Sequence, residues 1–279
     1  MTDASGAQQQ ALRLRGGVAV ITGAASGIGS GLARKALSLG MRVVLADVQE
    51  AALREFAATL HGEVLAVPTD VADAASVERL AQRAYAEFGA VDVLFNNAGV
   101  LTTGFSWEIE PERWQRSLDI NFNGVLHGLR SFVPRLLQAA RPAHIVNTSS
   151  VGGFLPSPLM GPYSVSKFAV LALSESLRAE LEMLQVPIGV SLLAPGPVKT
   201  GIFNHPFGAD AGAAAQAFVD NMRGMLEQHG LTPDEFAGPV FEGIAAGRYW
   251  LIPQPEAFDE LFRQRNEDIM ARRNPRMPW

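Results

Sequence analysis

The chain has 279 residues, no cysteine and a formal net charge of −5. This length suffices for one large α/β domain or two ordinary ones, and it excludes a mini-protein that depends on disulfides or a metal for its stability. The absence of cysteine excludes disulfides, thiolate metal sites and cysteine nucleophiles. The negative charge argues against a general attraction to nucleic acid or anionic lipid.

The longest stretch without a charged side chain, residues 142–166, contains four Pro, three Gly and several polar residues, so it does not predict a membrane span. The first ten residues lack the basic start and apolar core of a secretory signal. We therefore expect a cytoplasmic protein.

Short apolar runs alternate with amphipathic stretches along the chain, which is typical of repeated βαβ units. Uniformly apolar strands indicate a sheet that is buried on both faces. The sequence therefore predicts an α/β fold, with a doubly wound, mainly parallel seven-stranded sheet and helices on both faces. The predicted strands are 17–21, 42–46, 64–67, 91–95, 144–147, 188–193 and 249–252, and the predicted helices are 27–39, 50–60, 74–88, 112–137, 163–184, 234–245 and 256–269.

A glycine-rich segment, TGAASGIG at residues 22–29, follows the first predicted strand and opens the first helix. Gly23 permits a tight turn, Gly27 lets the main chain approach a pyrophosphate, and Gly29 allows the helix to pack closely on the strand. The free N–H groups at the start of the helix attract the anion. A plain glycine-rich turn is the alternative for the motif alone, but its position between strand and helix favours a dinucleotide site.

Asp47 ends the second predicted strand, 18 residues beyond Gly29. This is close to the roughly 20 residues at which an acidic side chain can bind the adenosine ribose. Such an acid favours NAD, because a 2′-phosphate about 4 Å away would be repelled by about 4 kcal/mol at an effective dielectric of about 20. The alternative is that Asp47 caps the following helix.

Tyr163 and Lys167 are four residues apart near the start of an amphipathic helix, so their side chains project from one face. A phenol with a pKa of about 10 becomes a useful base only if that pKa falls by about 2 to 3 units, and a nearby ammonium group has an effect of this size. Ser149 and Ser150 follow the strand 144–147 and so lie at the carboxyl edge of the sheet, where ligands bind. Taken alone, an ordinary helical pair and two turn serines are the better interpretation.

Together these segments resemble the short-chain dehydrogenase/reductase family over nearly the whole chain, most specifically from Gly17 to about Thr200. The resemblance implies a Rossmann-like fold and reversible hydride transfer between NAD and a secondary alcohol or ketone, with no metal. The motifs appear in the family's order: TGAASGIG at 22–29, Asp70-Val71, Asn96-Asn97-Ala98-Gly99, Asn121, Ser150, Tyr163-Ser164-Val165-Ser166-Lys167 and Pro195-Gly196-Pro197-Val198-Lys199-Thr200.

The resemblance also implies catalytic roles. Tyr163 would be the acid/base, Lys167 would lower its pKa and hold the nicotinamide ribose, and Ser150 would orient the substrate oxygen. Asn121 would hold the water of a proton relay behind Lys167, cap a helix irregularity, or do both. The implied cofactor-binding residues are Gly23, Ser26, Gly27, Ile28, Gly29, Asp47, Asp70, Val71, Asn97, Ala98, Gly99, Tyr163, Lys167, Pro195, Gly196, Val198 and Thr200.

The segments expected over the nicotinamide are rich in Phe, Leu, Ile and Met, which predicts a bulky apolar or aromatic substrate. The alternative is that these side chains only pack against the body of the protein. The predicted substrate-binding residues are Ser150, Phe154, Leu155, Tyr163 and Phe203, with Leu159, Met160, Ile202, Phe207, Phe218, Met222 and Met225 as further apolar neighbours.

We expect a flexible N-terminal tail at 1–15, one catalytic domain at 16–255 with a substrate lid at about 199–230, and a C-terminal helix and tail at 256–279. By resemblance the protein is expected to form a homotetramer, with a dimer as the alternative, and to bind neither nucleic acid nor membrane. Two other functions remain open: an NADPH-dependent 3-oxoacyl-type ketoreductase, and a non-catalytic protein that senses NAD.

Overall fold

The computed structural model describes residues 12, 14–204 and 212–276. Its centre is one sheet of seven strands in the order β3-β2-β1-β4-β5-β6-β7. All neighbouring strands pair in parallel, which confirms the predicted α/β, Rossmann-like class. The strands are β1 (Val18–Thr22), β2 (Arg42–Asp47), β3 (Val64–Pro68), β4 (Val93–Asn96), β5 (Ala143–Thr148), β6 (Ile188–Leu193) and β7 (Trp250–Leu251).

Helices cover both faces of the sheet. Successive residues of β1 point into opposite cores, with Val20 in one and Ile21 in the other, because side chains alternate along a strand. The helices are α1 (Gly27–Ser38), α2 (Glu50–Ala58), α3 (Ala74–Phe88), α4 (Pro111–Leu118), α5 (Gly124–Ala139), α6 (Gly161–Met183), α7 (Gly212–His229), α8 (Pro233–Ala245) and α9 (Pro255–Met270). The core around Phe132 receives α3, α5 and α6, and the core around Phe236 receives α1, α2 and α8.

The single helix predicted at 112–137 is two helices. A π-helical turn at Asp119–Asn123 separates α4 from α5. The turn contains Asn121, whose side chain bonds to the main chain of Val100 instead of following the amphipathic pattern of the helices. The prediction was wrong here because both helices are amphipathic, and the one glycine at the change, Gly124, is also compatible with a continuous helix.

The described parts of the stretch from Ala194 to Gly230 are residues 194–204 and 212–230, and they contain regular structure. A 3-10 turn at Gly201–Phe203 and the 18-residue helix α7 lie within it. The many Pro and Gly residues of this stretch are concentrated before residue 209, whereas 213–229 contains no Pro and only one Gly. Residues 205–211, which include the predicted substrate neighbour Phe207, lie outside the described part of the chain.

Most of the predicted N-terminal tail, residues 1–11 and 13, is also outside the described part. Leu12 and Leu14 are half-buried against the core that contains Leu32 and Phe236, so the predicted tail does not extend to these two residues. Among the described residues, no helix has the length and apolarity needed to cross a lipid bilayer.

Candidate active site

A cavity of about 650 Å³ opens at the carboxyl ends of the parallel strands. It lies where β1 and β4 are neighbours, which is the point at which the strand order reverses and ligands of open α/β sheets bind. The predicted residues that line it are Gly23, Ser26, Gly27, Ile28, Asp47, Asp70, Val71, Asn97, Ala98, Gly99, Ser150, Leu155, Tyr163, Lys167, Pro195, Gly196, Val198, Thr200 and Phe203. Gly29, Asn121 and Phe154 are not among the lining residues.

The glycine loop between β1 and α1 is built from contacts too close for side chains. Gly23 has a φ of +64°, and a Cβ there would lie 2.8 Å from the Cα of Ala98. A Cβ on Gly29 would lie 2.1 Å from the carbonyl oxygen of Gly23, so Gly29 serves the packing of α1 and not the cavity wall. A Cβ on Gly27 would lie 3.1 Å from the methyl group of Thr200, which brings the two ends of the cavity wall into contact.

The start of α1 fits an anion. Ser26 precedes the helix, but its side chain makes no capping hydrogen bond, and the first turn contains no acidic residue. The first N–H groups of a helix and the positive end of its dipole attract a phosphate group. Because Ser26, Gly27 and Ile28 line the cavity, a dinucleotide pyrophosphate fits this position.

Asp47 lies at the end of β2 with only 8% of its surface exposed. Its two carboxylate oxygens accept hydrogen bonds from the main-chain N–H groups of Ala25, at 3.1 Å, and Gln49, at 3.0 Å. Gln49, not Asp47, is the residue that precedes α2. These bonds hold the carboxylate at the cavity wall, in a position suited to a ribose.

Asp70 has a partner that the sequence did not indicate. The guanidinium of Arg116 in α4 lies 3.4 Å from the Asp70 carboxylate, and both side chains line the cavity. The N–H of Ala72 also donates to Asp70, at 2.9 Å. No motif spacing relates Arg116 to Asp70, since 46 residues separate them and only the fold brings them together.

Tyr163, Lys167 and Ser150 meet at the centre of the cavity. Lys167 Nζ lies 5.6 Å from the centroid of the Tyr163 ring and donates to the carbonyl oxygen of Thr148 at 3.0 Å. A Cβ on Gly152 would lie 3.4 Å from Cε1 of Tyr163 and 3.5 Å from Oγ of Ser150, so these two side chains flank the same point.

Of the two adjacent serines, only Ser150 has its hydroxyl at the position beside Gly152 that the Tyr163 ring also flanks. Ser149 donates its hydroxyl proton to the main-chain oxygen of Lys167 at 2.8 Å and is 1% exposed. The Ser150 oxygen accepts a hydrogen bond from Gly152 N–H at 3.0 Å, which fixes its direction. The structure therefore places Ser150, the serine that the sequence favoured, beside Tyr163.

Burial controls the protonation of both catalytic candidates. It raises the pKa of Tyr163, while the hydroxyl of Ser150 acts in the opposite direction. Burial also lowers the pKa of Lys167 to about 8. Without a bound cofactor, desolvation of the phenol outweighs the effect of Ser150 on the Tyr163 pKa, and the lowering of this pKa by Lys167 stays a prediction for the complex with NAD.

Asn121 lies behind the cavity wall and is fully buried. Its Oδ1 accepts a hydrogen bond from Val100 N–H at 2.8 Å, and its Nδ2 donates to the Val100 carbonyl at 2.9 Å and to Ser166 Oγ at 3.1 Å. A Cβ on Gly99 would lie 3.4 Å from both Asn121 Oδ1 and Lys167 Nζ. Asn121 thus sits in the helix irregularity and on the same side of the cavity as Lys167.

The cavity continues beyond Tyr163 into an apolar chamber. Phe203 is 6% exposed and packs there, and Arg223 of α7 donates to its main-chain oxygen at 2.9 Å. The charged side chains that line the described part of the cavity are Asp47, Asp70, Arg116 and Lys167, and none of them comes from α7 or the turn before it. The apolar lining residues of this chamber are Leu101, Leu155, Met160, Ile202, Phe203, Met222, Met225 and Leu226.

Phe154 is a correction to the predicted substrate residues. Its ring lies 5.0 Å from the ring of Phe262 and 5.7 Å from that of Trp250, on the side of α9 and β7. The 3-10 turn at Val151–Gly153 carries Leu155 into the cavity wall and turns Phe154 away from it. Leu159 and Phe218 also do not line the cavity, whereas Leu101 and Phe258, which the sequence did not single out, do.

The class of the protein follows from this fold and site together with one comparison. Residues 17–208 match the family model described as short chain dehydrogenase. The chain therefore belongs to the short-chain dehydrogenase/reductase family, and it is an oxidoreductase that acts on CH–OH groups.

Individual relatives cover most of the chain. It is 35% identical to the C alpha-dehydrogenase of Sphingobium sp. strain SYK-6, over 88% of this chain and 82% of that one. It is 36% identical to the 1-deoxy-11-beta-hydroxypentalenate dehydrogenase of Streptomyces arenae, over 88% and 87% of the two chains. A short-chain dehydrogenase/reductase of Burkholderia phymatum, solved in complex with NAD, is 40% identical and superposes with a TM-score of 0.90 over 95% of this chain and 98% of that one. Family membership and this NAD complex support a nicotinamide cofactor.

Proposed function

We propose that the protein interconverts a secondary alcohol and a ketone, bulky and apolar or aromatic, with NAD as the hydride carrier. One observation supports this most directly: Tyr163, Lys167 and Ser150 meet between a phosphate-binding helix start and an apolar chamber. Bound NAD would supply the hydride acceptor for the alcohol carbon.

The preference for NAD rests on Asp47. Its carboxylate is held by two main-chain N–H groups and has no lysine or arginine in hydrogen-bond or ion-pair contact among the described residues. A ribose hydroxyl can donate to this carboxylate, whereas a 2′-phosphate would be repelled by it.

Side chains of the protein would carry out the proton transfer. The Tyr163 oxygen would take the hydroxyl proton of the alcohol, and the Ser150 hydroxyl would hold the substrate oxygen next to it. Lys167, which is 3% exposed, would place a positive charge near the phenolate that accepts this proton. Because burial raises the pKa of Tyr163, this positive charge is needed to bring the phenol toward a working range.

The substrate class follows from the lining of the chamber. Its described wall carries mostly apolar side chains, with Ser157 and Asn204 as polar neighbours and no charged group beyond Lys167, so an ionic substrate part would lose hydration there without gaining a further charged partner. The Streptomyces relative is named for hydroxypentalenate, a hydroxy acid, and this name agrees with an alcohol as the reacting group here but not with a substrate free of ionic parts.

A screen of secondary alcohols, followed by NADH or NADPH absorbance, tests the proposal. We expect turnover of aryl secondary alcohols with NAD and weak turnover with NADP. A preference for small polyols or sugars would contradict the substrate class, and a preference for NADPH would favour the 3-oxoacyl-type ketoreductase. NAD binding without turnover of any alcohol, unchanged in Tyr163→Phe, would favour a sensing protein.

We also propose that the protein assembles as a homotetramer. Val165 on α6 and Trp250 on β7 are 51% and 45% exposed, so apolar surface is available on two different elements. Light scattering should give four times the mass of one chain, and a monomer would contradict the proposal.

A further inference from the structure

The loop Pro195–Thr200, which forms the nicotinamide end of the cavity, is held from two sides at Pro197. Gln254 stands between β7 and α9 and is 8% exposed. Its Nε2 donates to the main-chain oxygen of Pro197 at 3.0 Å, and the same oxygen accepts the N–H of Leu231 at 3.1 Å. The C-terminal helix is therefore joined to this loop by a buried hydrogen bond.

Phe258, one turn further along α9, touches the loop at Gly196. A Cβ on Gly196 would lie 2.5 Å from Cε2 of Phe258 and 2.7 Å from Oε1 of Gln254. Phe258 is 8% exposed, and its ring forms part of the cavity wall. The loop and the helix are thus in direct contact, with no space for a side chain at Gly196.

The same helix also contacts the segment that carries Ser150. The ring of Phe258 stacks on that of Phe262 at 6.2 Å, and Phe262 lies 5.0 Å from Phe154, four residues after Ser150. The two segments are joined to each other as well, because Val151 N–H donates to the carbonyl oxygen of Pro195 at 3.0 Å. Helix α9 therefore braces both segments.

We propose that Gln254 and Phe258 are positioning residues, which hold the loop Pro195–Thr200 in the shape that receives the nicotinamide. Oε1 of Gln254 is buried without a hydrogen-bond partner, which is unfavourable. An apolar side chain of the same length at position 254 would avoid this unpaired acceptor. The bond from Nε2 to Pro197 explains why an amide stands there. This inference rests on the proposed use of NAD.

The test compares NAD with ADP-ribose, which has the adenosine and pyrophosphate but lacks the nicotinamide. In Gln254→Met, calorimetry should show NAD binding weakened about tenfold, the value of one lost hydrogen bond, and ADP-ribose binding unchanged within about twofold. The matched control is Gln264→Met on the same helix, whose amide donates to Glu260 at 2.6 Å and has no other hydrogen bond among the described residues. This control should bind both ligands like the wild type.

The possible results distinguish a failure of the positioning role from a failure of the proposed use of NAD. Wild-type protein that binds neither ligand would overturn the proposed use of NAD. Wild-type binding of both ligands, with equal NAD affinity in Gln254→Met or with equal weakening of both ligands, would overturn only the positioning role. If Gln254→Met does not fold, Gln254→Glu, which keeps the length of the side chain but loses the Nε2 donor, decides in the same way.

Discussion

The two ends of the cavity are built in different ways. At the cofactor end, the main chain itself forms the wall: Gly23 has a positive φ, and Asn97 donates through Nδ2 to the carbonyl oxygen of Thr22 at 2.9 Å. At the substrate end, the wall consists of apolar side chains such as Met160 and Met222, which have no hydrogen bonds to fix them.

This difference explains why one end can be read from the sequence and the other cannot. A positive φ or an approach of about 2 to 3 Å between main-chain atoms admits few residue types, so the chain carries a motif there. Apolar packing admits many side chains of similar volume. The cofactor end should therefore respond to single-atom changes, and the substrate end should respond to changes of volume.

The largest effect is expected where the two ends meet, at Tyr163. Tyr163→Phe removes the proton acceptor and should lower kcat about a thousandfold, while the dissociation constant for NAD stays nearly unchanged. Steady-state kinetics and calorimetry measure the two quantities. Tyr85→Phe is the matched control, because the Tyr85 hydroxyl is buried without a partner away from the cavity. Full activity of Tyr163→Phe would refute its role.

The next effect concerns the charge at the cofactor end. Asp47→Asn keeps the size of the side chain but removes the repulsion of a 2′-phosphate, so the ratio of kcat/KM with NAD to that with NADP should fall by up to about a thousandfold. Asp70→Asn, which changes a carboxylate elsewhere in the same wall, should leave that ratio unchanged. An unchanged ratio in Asp47→Asn would show that cofactor selection lies elsewhere.

The buried ammonium of Lys167 makes stability depend on pH. Burial lowers its pKa from 10.5 to about 8. Between these two values the unfolded chain binds more protons than the folded chain, so the free energy of unfolding should gain about 3 kcal/mol from Lys167 as the pH rises. Urea denaturation at pH values near 8 and 10.5 measures this gain.

Two variants isolate that contribution. Lys167→Met should lack the gain, whereas Lys199→Met, at an exposed position, should keep it. An identical pH dependence in the wild type and in Lys167→Met would contradict the link between burial and protonation.

The smallest effect is expected in the apolar chamber. Phe203→Ala removes a ring from the wall and should lower kcat/KM for an aryl secondary alcohol about tenfold, with little change for a short aliphatic alcohol. Phe154→Leu is the control, because its ring packs against Phe262 and Trp250 outside the cavity. Altered substrate preference in Phe154→Leu, with none in Phe203→Ala, would reverse the assignment made here.

The sequence predicted the fold class and most of the cofactor wall because both depend on local patterns. The strand Ile188–Leu193 and the helix Ala74–Phe88 have the predicted bounds, since apolar periodicity and the following Gly89 define them. Gly23 and Asp47 could be placed because each stands at the end of a predicted strand, at the spacing of the dinucleotide-binding motif.

The residues that the sequence missed depend on contacts between distant segments. Arg116 meets Asp70 across 46 residues, and Gln254 meets Pro197 across 57. The direction of the Phe154 side chain depends on a 3-10 turn that no residue spacing in the sequence predicts. The pKa of Tyr163 depends on its burial, which is a property of the complete fold and not of the Tyr-x-x-x-Lys pattern.

The contact between Gly27 and the Thr200 methyl group has a consequence for the whole site. Residues 173 positions apart in sequence meet there, one in the glycine loop before α1 and one in the loop Pro195–Thr200. A dinucleotide that spans this contact would bind to two segments that are held at a fixed distance from each other. A side chain at Gly27 would press against this methyl group, so Gly27→Ala should shift the loop Pro195–Thr200 relative to the start of α1.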